Sequence, residues 1–162
     1  MVGLVRTVFA ISRGLGPERA SDIGGALARR VGPLLPSHRT ALTNLRAAYP
    51  ERDKTELREI ALGAWENLGR TGAEYAHLDR LFDFDPERAT PGRIEVDGVE
   101  DFMALREDGR PGLIFSAHLA NWELPAICAA RFGLEATAVF RPPNDAAVAS
   151  VVHEVRSRTM GG

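Results

Sequence analysis

Cysteine is nearly absent from this 162-residue chain, and lysine is scarcer than its charge suggests. Cys128 stands alone, so no intramolecular disulfide can form. It lies in the apolar stretch 124–130, where a free thiol packs as a small hydrophobe. Lys54 is the only lysine among 20 basic residues. Arginine suits bidentate contacts to phosphate and carboxylate, although codon bias in a GC-rich genome gives the same excess. A net charge of −2 removes any bulk electrostatic case for nucleic acid. No run approaches the roughly 20 apolar residues of a membrane span. No His, Cys and carboxylate spacing suits zinc, and no glycine-rich phosphate loop is present.

What is present divides at a polar, proline-bearing stretch, 83–92. Before it, the pattern is helical. Small and apolar residues at helical spacing predict a helix over 17–35, stopped at Pro36. Ser37 can cap a second helix through Ala48, ended by Pro50. Asp53 or Thr55 opens a third, with Leu57, Ile60, Ala61, Ala64, Trp65, Leu68, Gly72 and Tyr75 along one stripe, ending near 81–82. At the very start, Leu4, Val5, Val8, Phe9 and Ile11 can dip into lipid while Arg6 and Arg13 meet headgroups. An ordinary helix packed on the domain fits the same residues.

After the linker the period changes. Strands are predicted at 93–96, 113–117 and 135–140, alternating with helices at 99–107, 121–132 and 145–158. That order predicts an α/β fold: a helical part, 1–82, followed by a parallel βαβαβ layer over 93–162. Three parallel strands make a small sheet for a layer that needs both faces covered. The layer is thus expected to be incomplete at the C-terminus.

The chemistry concentrates where the second predicted strand meets its helix. Open α/β sheets place ligands at the carboxyl ends of strands. There His118-Leu119-Ala120-Asn121-Trp122-Glu123 sets a histidine five positions before a carboxylate. A neutral imidazole can take a proton from a hydroxyl, and a nearby carboxylate can hold its tautomer and steady the imidazolium. The expected helix start at 120–122 offers backbone N–H groups for an oxyanion. Arg141 follows the next strand, at the same sheet end as His118, and suits a phosphate. Arg156 and Arg158 are secondary candidates for that role. Each of these residues also has a plain structural explanation: a strand-end histidine, a first-turn glutamate, a surface salt bridge. Trp122 and Asn121 read most simply as packing and capping residues. Glu74 and His77 lie three apart on the long helix, a spacing usual for structural contacts.

These residues carry a resemblance. The stretch 116–124 is similar to the His-x-x-x-x-Glu block of the late acyltransferases of lipid A biosynthesis, the lauroyl/myristoyl transferase group. Val139-Phe140-Arg141-Pro142-Pro143-Asn144 resembles that family's second block, an aromatic-Arg-Pro followed by Asn. Residues 155–161 resemble its arginine-rich helix end, and 44–50 and 65–70 resemble its N-terminal helices. One His-x-x-x-x-Glu alone is a weak signal, whereas five blocks in order are a strong one.

The resemblance implies a fold of the glycerolipid-acyltransferase type. It implies transfer of a fatty acyl chain from acyl carrier protein to a hydroxyl of a lipid A precursor, at the cytoplasmic face of the bacterial inner membrane. Attachment there is expected to be peripheral or through the N-terminus. His118 and Glu123 become the catalytic pair, and Arg141, Arg158, Arg156 and Asn121 the substrate-binding residues. No cofactor or metal is called for. Two alternatives stand beside this: acylation of another glycolipid, such as a phosphatidylinositol mannoside, or a non-catalytic lipid- or carrier-binding fragment.

Overall fold

In the computed structural model, which describes residues 2–88, 90 and 92–160, every regular element is a helix. The expected lipid-facing side chains of Leu4 and Val5, Pro91 of the linker and Gly161 of the arginine-rich block lie outside the described residues. The α helices are α1 (Val2–Leu15), α2 (Pro17–Val31), α3 (Pro36–Ala48), α4 (Lys54–Glu74), α5 (Leu78–Leu81), α6 (Val99–Glu107), α7 (Leu124–Arg131) and α8 (Ala146–Thr159). Single 3-10 turns follow α2 and α4, at Gly32–Leu34 and Tyr75–His77. The chain divides into two compact units, one of residues 9–76 and one of residues 1–8 with 77–162.

The first unit is built on the pairing of α2 with α4. Glycines let the two helices approach closely. A Cβ at Gly24 would stand 2.6 Å from the carbonyl oxygen of Gly69, and one at Gly69 would strike the Gly24 carbonyl and the Ala28 methyl. Gly32 lies against the Trp65 ring in the same way. Ion pairs flank the seam. Arg29 donates to Glu59 at 2.6 Å, and Arg70 donates to Asp22 at 2.7 Å and to Glu66 at 3.0 Å. Those two carboxylates hold the Arg70 guanidinium firmly charged, raising its pKa above the ordinary arginine value. Trp65 Nε1 donates to His38 Nδ1 at 3.2 Å and ties α3 to α4.

The end of α1 is fastened by Ser12 Oγ and an Arg13 amine, which donate to the Ala73 and Ala76 carbonyls at 2.9 and 2.7 Å. Asp53 caps α4 as its spacing predicts. Its Oδ1 accepts from Thr55 N at 2.7 Å and Glu56 N at 2.9 Å, while the Glu56 carboxylate accepts from Asp53 N. The expected apolar stripe on α4 is divided. Leu57 and Ala61 are buried, whereas Ile60 and Leu68 are exposed. The seam itself runs through small residues, because only they admit α2 this closely.

The second unit centres on Phe132, which meets Phe82, Phe84 and Phe102 edge-to-face at 6.3, 6.1 and 6.1 Å between ring centroids. Leu78, Ile127 and Val151 fill the rest of this core. Helix α7 ends as its glycine predicts. Gly133 takes φ +71°, and the N–H groups of Gly133 and Leu134 return to the carbonyls of Ala130 and Ala129.

The α/β layer is not there. Among the described residues no strand forms at 93–96, 113–117 or 135–140, and the expected βαβαβ sheet is replaced by helices and extended loops. The first of these segments shows why. The N–H groups of Arg93 and Ile94 donate to Asp83 Oδ1 at 2.8 and 3.1 Å, so a side chain takes the place of a neighbouring strand. Those bonds, the one from Arg93 first, hold the Asp83 carboxyl below the usual carboxylate range. The other two segments have no regular structure, and no ladder joins them. Phe115 is 90% exposed, and Leu113 and Val139 are likewise uncovered. A short apolar run satisfies the sequence pattern for a strand, yet a strand exists only with a partner for its backbone.

Candidate active site

His118 sits at the end of the extended stretch, where the chain bends. Leu119 N bonds back to the Ala117 carbonyl at 2.8 Å, and Ala120 takes φ +47°, a left-handed conformation uncommon for a residue with a Cβ. The imidazole is exposed and lies tilted against the Trp122 ring, with 4.8 Å between ring centroids and 50° between planes. The helix expected from 121 begins only at Leu124. Residues 120–122 therefore form a bend and offer no helix N-terminus, which removes the expected helical source of oxyanion donors. Asn121 is buried and makes the turn. Its Oδ1 accepts from Glu123 N at 3.2 Å, and its carbonyl accepts from Leu124 N at 3.3 Å.

Glu123 is only 3% exposed, and both its oxygens are engaged. Arg156 of α8 donates Nη2 to Oε1 at 2.6 Å and Nε to Oε2 at 2.9 Å, a two-pronged pair. The other face of that guanidinium lies over the Phe140 ring, 4.5 Å from its centroid. One arginine thus joins three pieces of chain: the turn after His118, the extended segment before Arg141, and α8. Burying a carboxylate without a cation is expensive, so this pair fixes where the turn can lie.

The sequence-predicted residues fall into two groups. Glu123, Asn121 and Arg156 come together in one connected cluster. His118 adjoins that cluster through the bend and has Trp122, not Glu123, as its ring partner. Arg158 pairs with Glu154 one turn earlier, at 2.7 Å, on the exposed side of α8. Arg141 is exposed, with no hydrogen bond or ion pair among the described residues, so its guanidinium is open to an anion. Trp122 and Phe140 complete the arrangement, and neither carried a sequence signal for its role. Each needed the chain to bring a charged or titratable group against it.

The remaining titratable groups are less suited to catalysis. Burial pushes the Cys128 thiol up from its ordinary value, which leaves it protonated and unreactive. Among the described residues no three His, Cys, Asp or Glu side chains gather to hold a metal ion. An exposed imidazole on an anchored turn can accept a proton from an alcohol, and an exposed guanidinium can hold an anionic group.

The family model for bacterial lipid A biosynthesis acyltransferase matches residues 2–161. The chain belongs to that family. The match spans both units and all five blocks on which the sequence resemblance rests. The chain is thereby placed among acyltransferases of lipid A biosynthesis. No curated relative and no solved structure matches it.

Proposed function

We propose that the protein moves a fatty acyl chain from acyl carrier protein to a hydroxyl of a lipid A precursor, with His118 as general base. The imidazole takes the proton of the acceptor hydroxyl. The oxygen attacks the thioester carbonyl, and the tetrahedral intermediate collapses by expelling the carrier's thiolate, which recovers the proton from the imidazolium. Oxygen gains the acyl bond, sulfur loses it, and no covalent enzyme intermediate is needed. The exposure of His118 on a turn anchored by the Glu123–Arg156 pair is the observation that carries this reading. The base is accessible to a large substrate, while the chain behind it is held.

In this arrangement Glu123 acts through position. It keeps the turn in place, and with it the imidazole. Arg156 shares that task. Asn121 shapes the turn, and Arg141, with Arg158 as a secondary candidate, meets a phosphate of the acceptor or of the carrier's prosthetic arm. The proposed substrates would put the enzyme at the cytoplasmic face of the inner membrane, attached peripherally or through its N-terminus. No helix among the described residues is long and apolar enough to cross a membrane.

The test is a transfer assay with radiolabelled lauroyl-acyl carrier protein and a lipid A precursor. His118→Ala should lower turnover by about 10²-fold or more with the melting temperature unchanged. Turnover within a few-fold of the unaltered protein would remove His118 from the chemistry. Glu123→Gln should cost one to a few orders of magnitude. Release of free fatty acid without any acceptor would make the protein a thioester hydrolase, and transfer only to a mannosylated phosphatidylinositol would change the acceptor.

A further inference from the structure

The proposed transfer leaves one need unmet. When the acceptor oxygen attacks, the thioester carbonyl oxygen gains a negative charge, and a fixed hydrogen-bond donor aimed at it lowers the barrier. The bend at 120–122 offers no helix N-terminus for that task, because the helix begins at Leu124. Most side-chain donors of this region are already engaged. Arg156 gives Nε and Nη2 to Glu123, and Arg158 gives its amine to Glu154. Asn121 is buried inside the turn.

Trp122 differs from these. Its ring is half-buried and lies 4.8 Å from the His118 imidazole, centroid to centroid. Its Nε1–H makes no hydrogen bond among the described residues, and the nitrogen is not sealed from solvent. The other tryptophan also stands beside a histidine, but there the donor is used: Trp65 Nε1 donates to His38 Nδ1 at 3.2 Å. Trp122 is also held in place from both sides. Asn121 before it and Glu123 after it are buried, Asn121 Oδ1 accepts from Glu123 N, and Arg156 grips the Glu123 carboxylate at two points. A donor on a held turn keeps its aim through the reaction, which is the condition for stabilising a developing charge. The backbone N–H groups of 111–117 lie on an exposed stretch without such an anchor.

We propose that Trp122 is a catalytic residue whose indole N–H donates a hydrogen bond to the oxyanion of the tetrahedral intermediate. The inference rests on the reading of His118 as general base. As the acceptor oxygen bonds to the carbonyl carbon, the π pair of the C=O moves onto its oxygen, and Trp122 Nε1–H donates to that oxygen. When the pair returns, the carbon–sulfur bond breaks, and the thiolate leaves and takes the proton from the imidazolium. The indole keeps its own proton throughout, so it needs no step to restore it. The ring contact keeps base and donor close enough to serve one carbonyl group, with the attacking oxygen toward His118 and the carbonyl oxygen toward Trp122.

The experiment replaces Trp122 in the whole chain and measures kcat and KM with labelled lauroyl-acyl carrier protein and the lipid A precursor. Benzothienylalanine has the shape of tryptophan with sulfur in place of the N–H. Placed at position 122, it should lower kcat about 10²-fold and leave KM and the melting temperature unchanged. Trp122→Phe should lose as much, since it keeps an aromatic ring and no donor, and Trp122→Leu should be little worse. Turnover of the benzothienylalanine protein within about threefold of the unaltered one would overturn the proposal. So would near-full activity of Trp122→Phe beside an impaired Trp122→Leu, the result for a ring that only supports the imidazole. A loss carried by KM with kcat intact would overturn it too, because it marks a contact equally strong before and during the reaction. His118→Ala separates this inference from the reading beneath it. An inactive His118→Ala beside an unimpaired benzothienylalanine protein sinks the tryptophan donor alone, whereas full turnover of His118→Ala removes the base and the donor argument with it.

Discussion

The seam between α2 and α4 and the stretch around His118 represent two ways of holding a chain. At the seam, Gly24 and Gly69 bring two backbones into contact, and Arg29 and Arg70, which share Glu66, run an ion-pair network along one side of it. Each helix completes its own hydrogen bonds before it packs. Around His118, the extended residues leave backbone groups and the Phe115 ring to solvent. What organises that region is one buried ion pair, Glu123 with Arg156. The comparison shows a framework kept by many small contacts and the segment bearing His118 kept by one strong tie. Reactive and ligand-binding segments are commonly drawn from the less firmly held parts of a fold.

That contrast can be broken most directly at the seam. Gly69→Val puts a branched side chain where the Gly24 backbone stands, and no side chain can move aside to admit it. The expected loss is about 3 kcal/mol or more by urea unfolding. On the same helix, a Cβ at Gly63 meets nothing within 4 Å, so Gly63→Ala should raise stability by about 0.5–1 kcal/mol. Equal effects at the two positions would mean that α2 does not lie against α4.

The tie in the second region comes next. Arg156→Ala leaves the buried Glu123 carboxylate without its cation and should cost about 3 kcal/mol. Arg156→Lys should recover only part of that, since an ammonium cannot make the two-pronged contact or lie flat on Phe140. A neutral result would show that the turn is held by something else. Capping has a smaller effect. Asp53→Ala removes an acceptor shared by two N–H groups of α4 and should lower stability by about 1 kcal/mol, read from the thermal midpoint. The smallest effect sharpens the comparison. Phe115→Ser should change stability by no more than about 0.5 kcal/mol, because the ring is already in water. A loss above about 2 kcal/mol would mean that the ring is covered in solution.

The helices were legible because their evidence is local. Asp53 with Glu56, Gly133 after α7 and Asp145 before α8 mark ends through groups a few residues apart. The stripe on α4 was legible only as a period, not as a partner. Ile60 and Leu68 fit that period and are exposed, while the contact with α2 uses Gly69. At the site, His118, Asn121, Glu123, Arg141 and Arg156 could be picked out one by one. The link between Glu123 and Arg156 could not, for 33 residues separate them and nothing in either segment names the other. The expected pairing of His118 with Glu123 rested on a strand ending at the histidine and a helix from 121 carrying the carboxylate one turn on; no strand forms there and the helix begins only at Leu124.

Sequence alone determined most helical elements, the Asp53 cap and the family, since each depends on short-range bonds or on ordered blocks of residues, whereas Ser37, expected as a cap, lies inside α3, which begins at Pro36. Only the tertiary structure decided that the apolar runs at 113–117 and 135–140 stay unpaired, that Arg156 claims Glu123, and that Ile23, Leu27 and Val31 of α2 are left uncovered. The physical reason is the same in all three cases. A helix satisfies its backbone within itself, whereas a strand, a buried charge and an apolar face are defined by what distant parts of the chain bring to them.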